Sequence, residues 1–361
     1  MSNPIARPVV GQASFNPEML ILARESHGLT QEALATAIGI TQSRISKLES
    51  GLVLPDAELV ALVAKELTYP ASFFFLRDRI RGLPSWFYRK RRSVRPRATA
   101  QVEALLNVRL IWLRGLLAEA ELDSILELPS VDLDFIGGTP ESIARYIRAA
   151  WQVPKGPLRD LTQLVEEAGC IVVQTNFGSQ GIDGLGVSFA GSPPTFFLNC
   201  VMPVDRQRFT LAHELGHIIM HRGPRETMEE EADRFASELL MPEADIAPFL
   251  GDISLSKLAS LKPVWRVSMA ALLRRARDLG KLTDRQYRYW WTQMGRNGFR
   301  KQEPGELDLR PEMPHALHDI LHLHFSELRM TLGDVAAHVS ADADEFAKAF
   351  LRRAPELRLV G

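Results

Sequence analysis

Residues 213–217 read His-Glu-Leu-Gly-His inside the run RFTLAHELGHIIMH. A helix brings those two imidazoles together. Residues four apart share one face of a helix, whereas on a strand the same spacing carries them ~13 Å apart. On a helix here His213 and His217 aim at one spot. Two imidazoles so placed suit Zn²⁺ at ~2.0–2.1 Å. Glu214 lies beside that spot, where a carboxylate can act on a metal-activated water.

A catalytic zinc needs a third protein ligand and an open position. Downstream, ETMEEEADRFASELLMPE reads as a helix that ends before Pro242. At helical spacing Ala232, Phe235, Ala236, Leu239 and Leu240 define its buried face. Glu229 falls roughly 50° from the centre of that face, Glu231 roughly 110° and Glu230 roughly 150°. Glu229 is the expected third ligand. Asp233, one turn later, is placed to accept a hydrogen bond from a ligand imidazole and fix its tautomer. His221 follows His217 by only four residues, too close for a three-histidine arrangement, and is expected to interact with the negative end of its own helix.

The N-terminal segment carries a different pattern. Asn16-Pro17 starts a helix, and Gly28 suits its end. Thr30 caps a second helix from Gln31 to Ile38. Gly39 supplies the positive φ of a tight turn, and Thr41 caps a third helix from Gln42 to Glu49. On this register Leu34, Ile38, Ile40, Ile45 and Leu48 point inward, while Gln42, Ser43, Arg44, Ser46 and Lys47 point outward. A recognition helix sets such first residues against base edges in the major groove, where Gln reads adenine and Arg reads guanine. Thr41 belongs to the same edge, and Gln31 is placed to touch a phosphate and fix register. Residues 16–70 nevertheless hold seven acidic against four basic residues, and phosphate neutralisation supplies most non-specific affinity. The segment 77–97, with nine Arg or Lys against one Asp and with Trp86, Phe87 and Tyr88 among them, is either a backbone-contacting arm or a solvated linker. A helical bundle used only for dimerisation is the alternative for the module as a whole.

Composition bounds the rest. A hydrophobic share of 46% and a charged share of 24% exclude a disordered chain. No apolar run reaches membrane-spanning length, and the first residues lack the apolar core of a secretory leader, so no membrane partner is expected. Cys170 and Cys200 are expected to be buried reduced thiols of a cytoplasmic protein. A net charge of −1 confines any nucleic-acid affinity to a local patch. The expected fold is α+β and mostly helical. Its parts are an all-α helix-turn-helix bundle over 1–76, a basic segment and helical linker over 77–142, a domain with a small sheet and the His213 helix over 143–300, and a helical region over 301–361. Residues 98–125 read as one amphipathic helix. TFFLN (195–199) reads as an edge strand on which an extended substrate could lie, with a plain core strand as the alternative. The arginines between 266 and 300 read as a solvated face. PHALHDILHLH, with His315, His318, His322 and His324, reads as a packed helix. MTLGDVAAHVSADADEFAKAFL weakly resembles a second helix-turn-helix, but without outward basic residues it reads as a helical interaction domain.

Two resemblances follow from these residues. LTQEALATAIGITQSRISKLESGLVLP resembles the Xre/Cro-type helix-turn-helix of phage repressors and antitoxins. The His213 helix and the EEEADRFASELLMPE helix, with LTQLVEEAGCIVV, IDGLGVSF and TFFLN upstream, resemble the ImmA/IrrE-type metallopeptidase domain over about 155–300. That resemblance implies a zincin-like, gluzincin-type centre: Zn²⁺ on His213, His217 and Glu229, with Glu214 as the general base. It implies site-specific cleavage of a helix-turn-helix repressor, or of the chain itself, in response to stress, phage or mobile-element signals. The Xre-type module implies a double-stranded operator and a homodimer on paired half-sites. Two other functions fit the sequence: a transcription factor whose peptidase-like domain is a non-catalytic sensor, and an antitoxin-like component of a toxin–antitoxin pair.

Overall fold

The computed structural model describes residues 14–80, 82, 96–120, 122–131, 138–177, 181–223 and 225–351. The fold is α+β and mostly helical. Its described residues gather into two compact units, one from 14–80, 82, 96–120 and 320–351, the other from 122–131, 138–177, 181–223 and 225–319. Most of the basic segment 77–97 lies outside the described residues.

The first unit begins with α1 (Pro17–Ser26), α2 (Gln31–Ala37), α3 (Gln42–Glu49) and α4 (Ala57–Glu66). Each helix start is written locally. The side chains of Asn16, Thr30, Thr41 and Asp56 accept hydrogen bonds from the first-turn N–H groups of Glu18, Ala33, Arg44 and Leu59, satisfying donors that a helix leaves open. Gly39 turns the chain between α2 and α3 at φ +73°. Leu34, Ile45 and Leu48 are buried, while Ile38 and Ile40 are only half-buried. A buried ion pair, Arg24 Nε to Glu49 Oε1 at 2.5 Å, ties α1 to α3. A 3-10 turn (Ala71–Phe75) and α5 (Pro96–Leu117) complete this part. The helix expected over 98–125 thus starts earlier and stops at Leu117, and a turn follows.

The second unit opens with α6 (Pro140–Ala150) and α7 (Leu161–Glu167). Three strands follow: β1 (Ile171–Thr175), β2 (Gly184–Val187) and β3 (Thr195–Asn199), in sheet order β1-β3-β2. β3 runs parallel to β1, with Val173 opposite Phe197, and antiparallel to β2, with Gly186 opposite Phe196. TFFLN is therefore the central strand, not an edge. All five of its residues are buried, and the unbroken burial reflects cover on both faces. Next come α8 (Val204–Met220), α9 (Met228–Leu240), the short α10 (Glu243–Ile246), α11 (Leu255–Trp265), α12 (Met269–Asp278) and α13 (Asp284–Arg296). Ile147, Val165, Phe196, Leu215, Phe235 and Leu272 belong to one continuous core. Arg275 departs from the expected solvated face: it is buried and ion-paired with buried Glu238. Of the two cysteines, Cys170 is buried and Cys200 half-buried.

The chain closes with α14 (Ala316–His322), a π turn (Leu323–Glu327), α15 (Leu332–His338) and α16 (Ala343–Phe350). From Ile320 onward these residues return to the unit of the N-terminus. No helix among the described residues is long and apolar enough to cross a membrane.

Candidate metal centre

The centre is built where α8 crosses α9 on one side and β2 on the other. Two glycines permit this approach. A Cβ on Gly216 would stand 2.9 Å from Cδ1 of Phe235 on α9, and one on Gly186 would stand 3.2 Å from Cβ of Glu214. The glycine between the two histidines thus lets α9 come close enough for its first turn to reach them.

His213, Glu214 and His217 are almost fully enclosed, at 3%, 2% and 0% exposure. His213 Nε2 and His217 Nε2 face each other at 3.1 Å. Glu229, on the first turn of α9, brings Oε2 to 3.6 Å from His213 Nε2 and Oε1 to 3.3 Å from His217 Nε2. Among the described residues these three form the one group whose ligand atoms converge as a metal site requires, all within 4.8 Å. Glu230 takes no part in it.

The far side of each ring is held differently. His213 Nδ1 lies 2.8 Å from Asp233 Oδ1, and Arg274 donates to the other oxygen of Asp233 at 3.4 Å. His217 Nδ1 lies 2.9 Å from Nδ1 of His221, whose Nε2 lies 2.9 Å from Glu231 Oε2. Thr227 donates to the remaining Glu231 oxygen at 2.8 Å. His221 therefore does not use its ring on the end of its own helix. Only its backbone N–H does that, bonding the His217 carbonyl. A neutral His221 that donates from Nε2 to Glu231 accepts at Nδ1, so His217 donates from Nδ1 and keeps its Nε2 lone pair for the centre. Asp233 imposes the same tautomer on His213.

Electrostatics agree with that assignment. Burial, then the neighbouring His217, pushes His221 down to about 4, and burial also lowers His217. Both rings are held neutral. Glu229 Oε1 is buried without a hydrogen-bond partner. Two imidazole lone pairs and a carboxylate aimed at one point fit a divalent cation, and the His₂Glu donor set suits zinc. Glu214 points toward the sheet, accepting the Gly186 N–H at 3.0 Å on Oε2.

The spacing of His213, His217, Glu229 and Asp233 was readable in advance. His221 and Glu231 were missed as partners, although His217 and His221 stand one turn apart, which was the available signal. Arg274 is exposed, as expected of a solvated face, and lies 3.4 Å from Asp233. Among the described residues the helical run at 315–324 contributes to no group that could hold a metal. His318 is exposed beside Asp319, and His324 is buried, with Nδ1 at 2.8 Å from the Ile320 carbonyl.

In the first unit Thr41, Gln42, Ser43, Arg44 and Lys47 are exposed along α3, and Ser46 is half-buried. Gln31 is half-buried. It donates to Glu49 at 2.7 Å and accepts from Gln42 at 2.7 Å, so the two glutamines are fixed to the α1–α3 ion pair.

The family model described as IrrE N-terminal-like domain, a peptidase family, matches residues 165–277. The model described as Helix-turn-helix matches residues 20–74. No curated protein matches the chain. The chain therefore joins a helix-turn-helix module to a peptidase-family domain, and the first match spans the whole cluster from His213 to Arg274.

Proposed function

We propose that the chain is a DNA-binding transcriptional regulator carrying a zinc-dependent endopeptidase, with a helix-turn-helix repressor or its own chain as substrate. The observation that carries this reading is the convergence of His213 Nε2, His217 Nε2 and the Glu229 carboxylate, enclosed and with Glu214 alongside. His213, His217 and Glu229 would hold the ion. When bound, zinc supplies Lewis acidity toward water and a peptide carbonyl. Glu214 is the residue that takes a proton from the attacking water and returns it to the leaving amine. His221 and Asp233 keep the two rings oriented and neutral on their outer nitrogens.

Among the described residues β1 and β2 are the two edge strands, and Gly186 on β2 already bonds Glu214. An extended substrate added along β2 would therefore run past Glu214. On the first unit, Gln42, Ser43, Arg44 and Lys47 would face base edges and phosphates, with Thr41 and Ser46 flanking them and Gln31 fixing register. A homodimer on an operator in the cytoplasm follows from the way such modules pair half-sites.

The test is Glu214→Gln in zinc-loaded full-length protein, with intact-mass detection of cleavage in a panel of helix-turn-helix repressors and in the chain itself. The variant should keep its zinc and its DNA binding and lose cleavage. Wild-type protein that binds zinc and DNA yet cuts nothing would move the domain to a sensing role.

A further inference from the structure

The C-terminal helices repeat the α2–α3 hairpin position for position, each equivalent lying 301 residues further on, Thr30 matching Thr331 and Thr41 opposite Asp342. Thr30 caps α2 through the Ala33 N–H, and Thr331 caps α15 through the Asp334 N–H. Both helices have seven residues. Gly39 at φ +73° has Ser340 at φ +54° as its counterpart. The bonds Gly39 N–H to Thr36 and Ile40 N–H to Ala35 recur as Ser340 to Ala337 and Ala341 to Ala336. Thr41 caps α3 and Asp342 caps α16, each of eight residues. Leu34, Ala35 and Ile45 are buried, as are Val335, Ala336 and Phe346. The α15–α16 hairpin thus has helix-turn-helix geometry, although the helix-turn-helix family model covers only 20–74.

The two copies differ at the edge that reads DNA. In the first, Gly39, Thr41, Gln42, Ser43 and Arg44 are exposed. In the second, the turn is closed off: Val339, Ser340 and Ala341 are 4%, 7% and 5% exposed. α5 is what covers it. A Cβ on Gly115 would stand 2.9 Å from Val339 Cγ1, His338 Nε2 meets the Gly115 carbonyl at 3.2 Å, and Trp112 packs on Phe346 and Phe350 at 6.1 and 6.2 Å between ring centres. Ser72 donates to Ser340 at 3.1 Å. The chemistry has changed as well. Where α3 offers Ser43 and Arg44, α16 offers Asp344 and Glu345, whose charges a phosphate backbone repels; Lys47 keeps an exposed basic counterpart in Lys348, which is paired with Glu345. The other end of α5 grips the N-terminal module: Arg97 Nε donates to the Gly28 carbonyl at 2.8 Å and Gln101 to the Ser26 carbonyl at 3.3 Å.

We infer that residues 331–350 are a second helix-turn-helix turned from reading DNA to clamping α5, so that duplex binding by α3 depends on the far end of the chain. The DNA-reading unit is then discontinuous, with the peptidase-family segment inserted between its halves. A cut anywhere in that insert converts the clamp from an intramolecular contact into a bimolecular one, with the loss of effective concentration that this entails. The dependence of duplex binding rests on the DNA-binding reading of α3; the clamp itself does not.

The experiment uses the full chain in wild-type, Phe346→Ala, Val339→Ala, Asp344→Ala/Glu345→Ala and Arg44→Ala forms. Hydrogen–deuterium exchange is followed over α1–α4, and binding to a fluorescein-labelled random-sequence 30-base-pair duplex is read by anisotropy at low salt. Phe346→Ala should speed exchange across α1–α4 by about tenfold or more and weaken duplex binding, with zinc content unchanged. Val339→Ala should do the same to a smaller degree and covers the case in which the larger truncation does not fold. The acidic double variant should leave exchange unchanged and duplex binding no weaker. Unchanged exchange in a folded Phe346→Ala or Val339→Ala protein overturns the clamp. A double variant that weakens duplex binding as much as Arg44→Ala overturns it in favour of a second reader. If wild type binds no duplex at all, the DNA reading fails and exchange alone still decides the clamp.

Discussion

The exposed face of α3 and the candidate metal centre make opposite demands on the chain. The α3 face comes from residues 41–47, a single capped helix whose side chains need only to stay in solvent. The metal centre takes His213 and His217 from α8 and Glu229 from α9, encloses them, and relies on Phe235 lying against Gly216 to keep the two helices at reach. A site written on one helix survives local repacking. A site shared by two helices inherits every error in their packing.

Phe235→Ala is the harshest test of that difference. Removing a fully buried ring from the α8–α9 contact should cost about 3–5 kcal/mol of stability and lower zinc occupancy, as denaturant titration and metal analysis would register. Duplex binding through α3 should be untouched, and a parallel loss there would erase the contrast between the two sites. His221→Ala comes next. It deprives His217 of the group that holds its outer nitrogen and should weaken zinc binding by roughly 10–100-fold in a chelator competition. Asp233→Ala should weaken it less, because the Asp233 side chain is 42% exposed whereas that of His221 is 0% exposed, and water can replace the exposed partner. Equal losses would mean that burial of the outer partner is irrelevant. The smallest effect belongs to α3 itself: Arg44→Ala should lower the salt dependence of duplex binding by about one phosphate contact while zinc content stays constant.

How far the sequence could be read follows the same line. The caps at Asn16, Thr30 and Thr41 and the turn at Gly39 were legible because each is decided by a few neighbouring atoms. Glu229 was legible from the buried face of its helix. The periodicity that singled it out pushed Glu231 aside, because a wheel measures distance from the core and is blind to a histidine arriving from another helix. TFFLN was misread as an edge because strand order is not a property of any one strand. Its unbroken burial is equally what a central strand requires. Arg275 looked like the exposed arginines around it until the partner on α9, Glu238, was in view.

What the sequence determined alone is therefore local: where helices begin and turn, that two imidazoles share a face, and which side chains of α3 stay outward. Hydrogen bonds within a turn and the 3.6-residue period fix these without reference to the rest of the chain. Only the tertiary structure decided that β3 is central, that His221 and Glu231 hold His217, and that α15–α16 close on α5 beside the N-terminal helices. Each of those depends on contacts between separate elements, from 10 positions apart for His221 and Glu231 to 223 for His338 and Gly115, where apolar patterning says that a face is covered and is silent on what covers it.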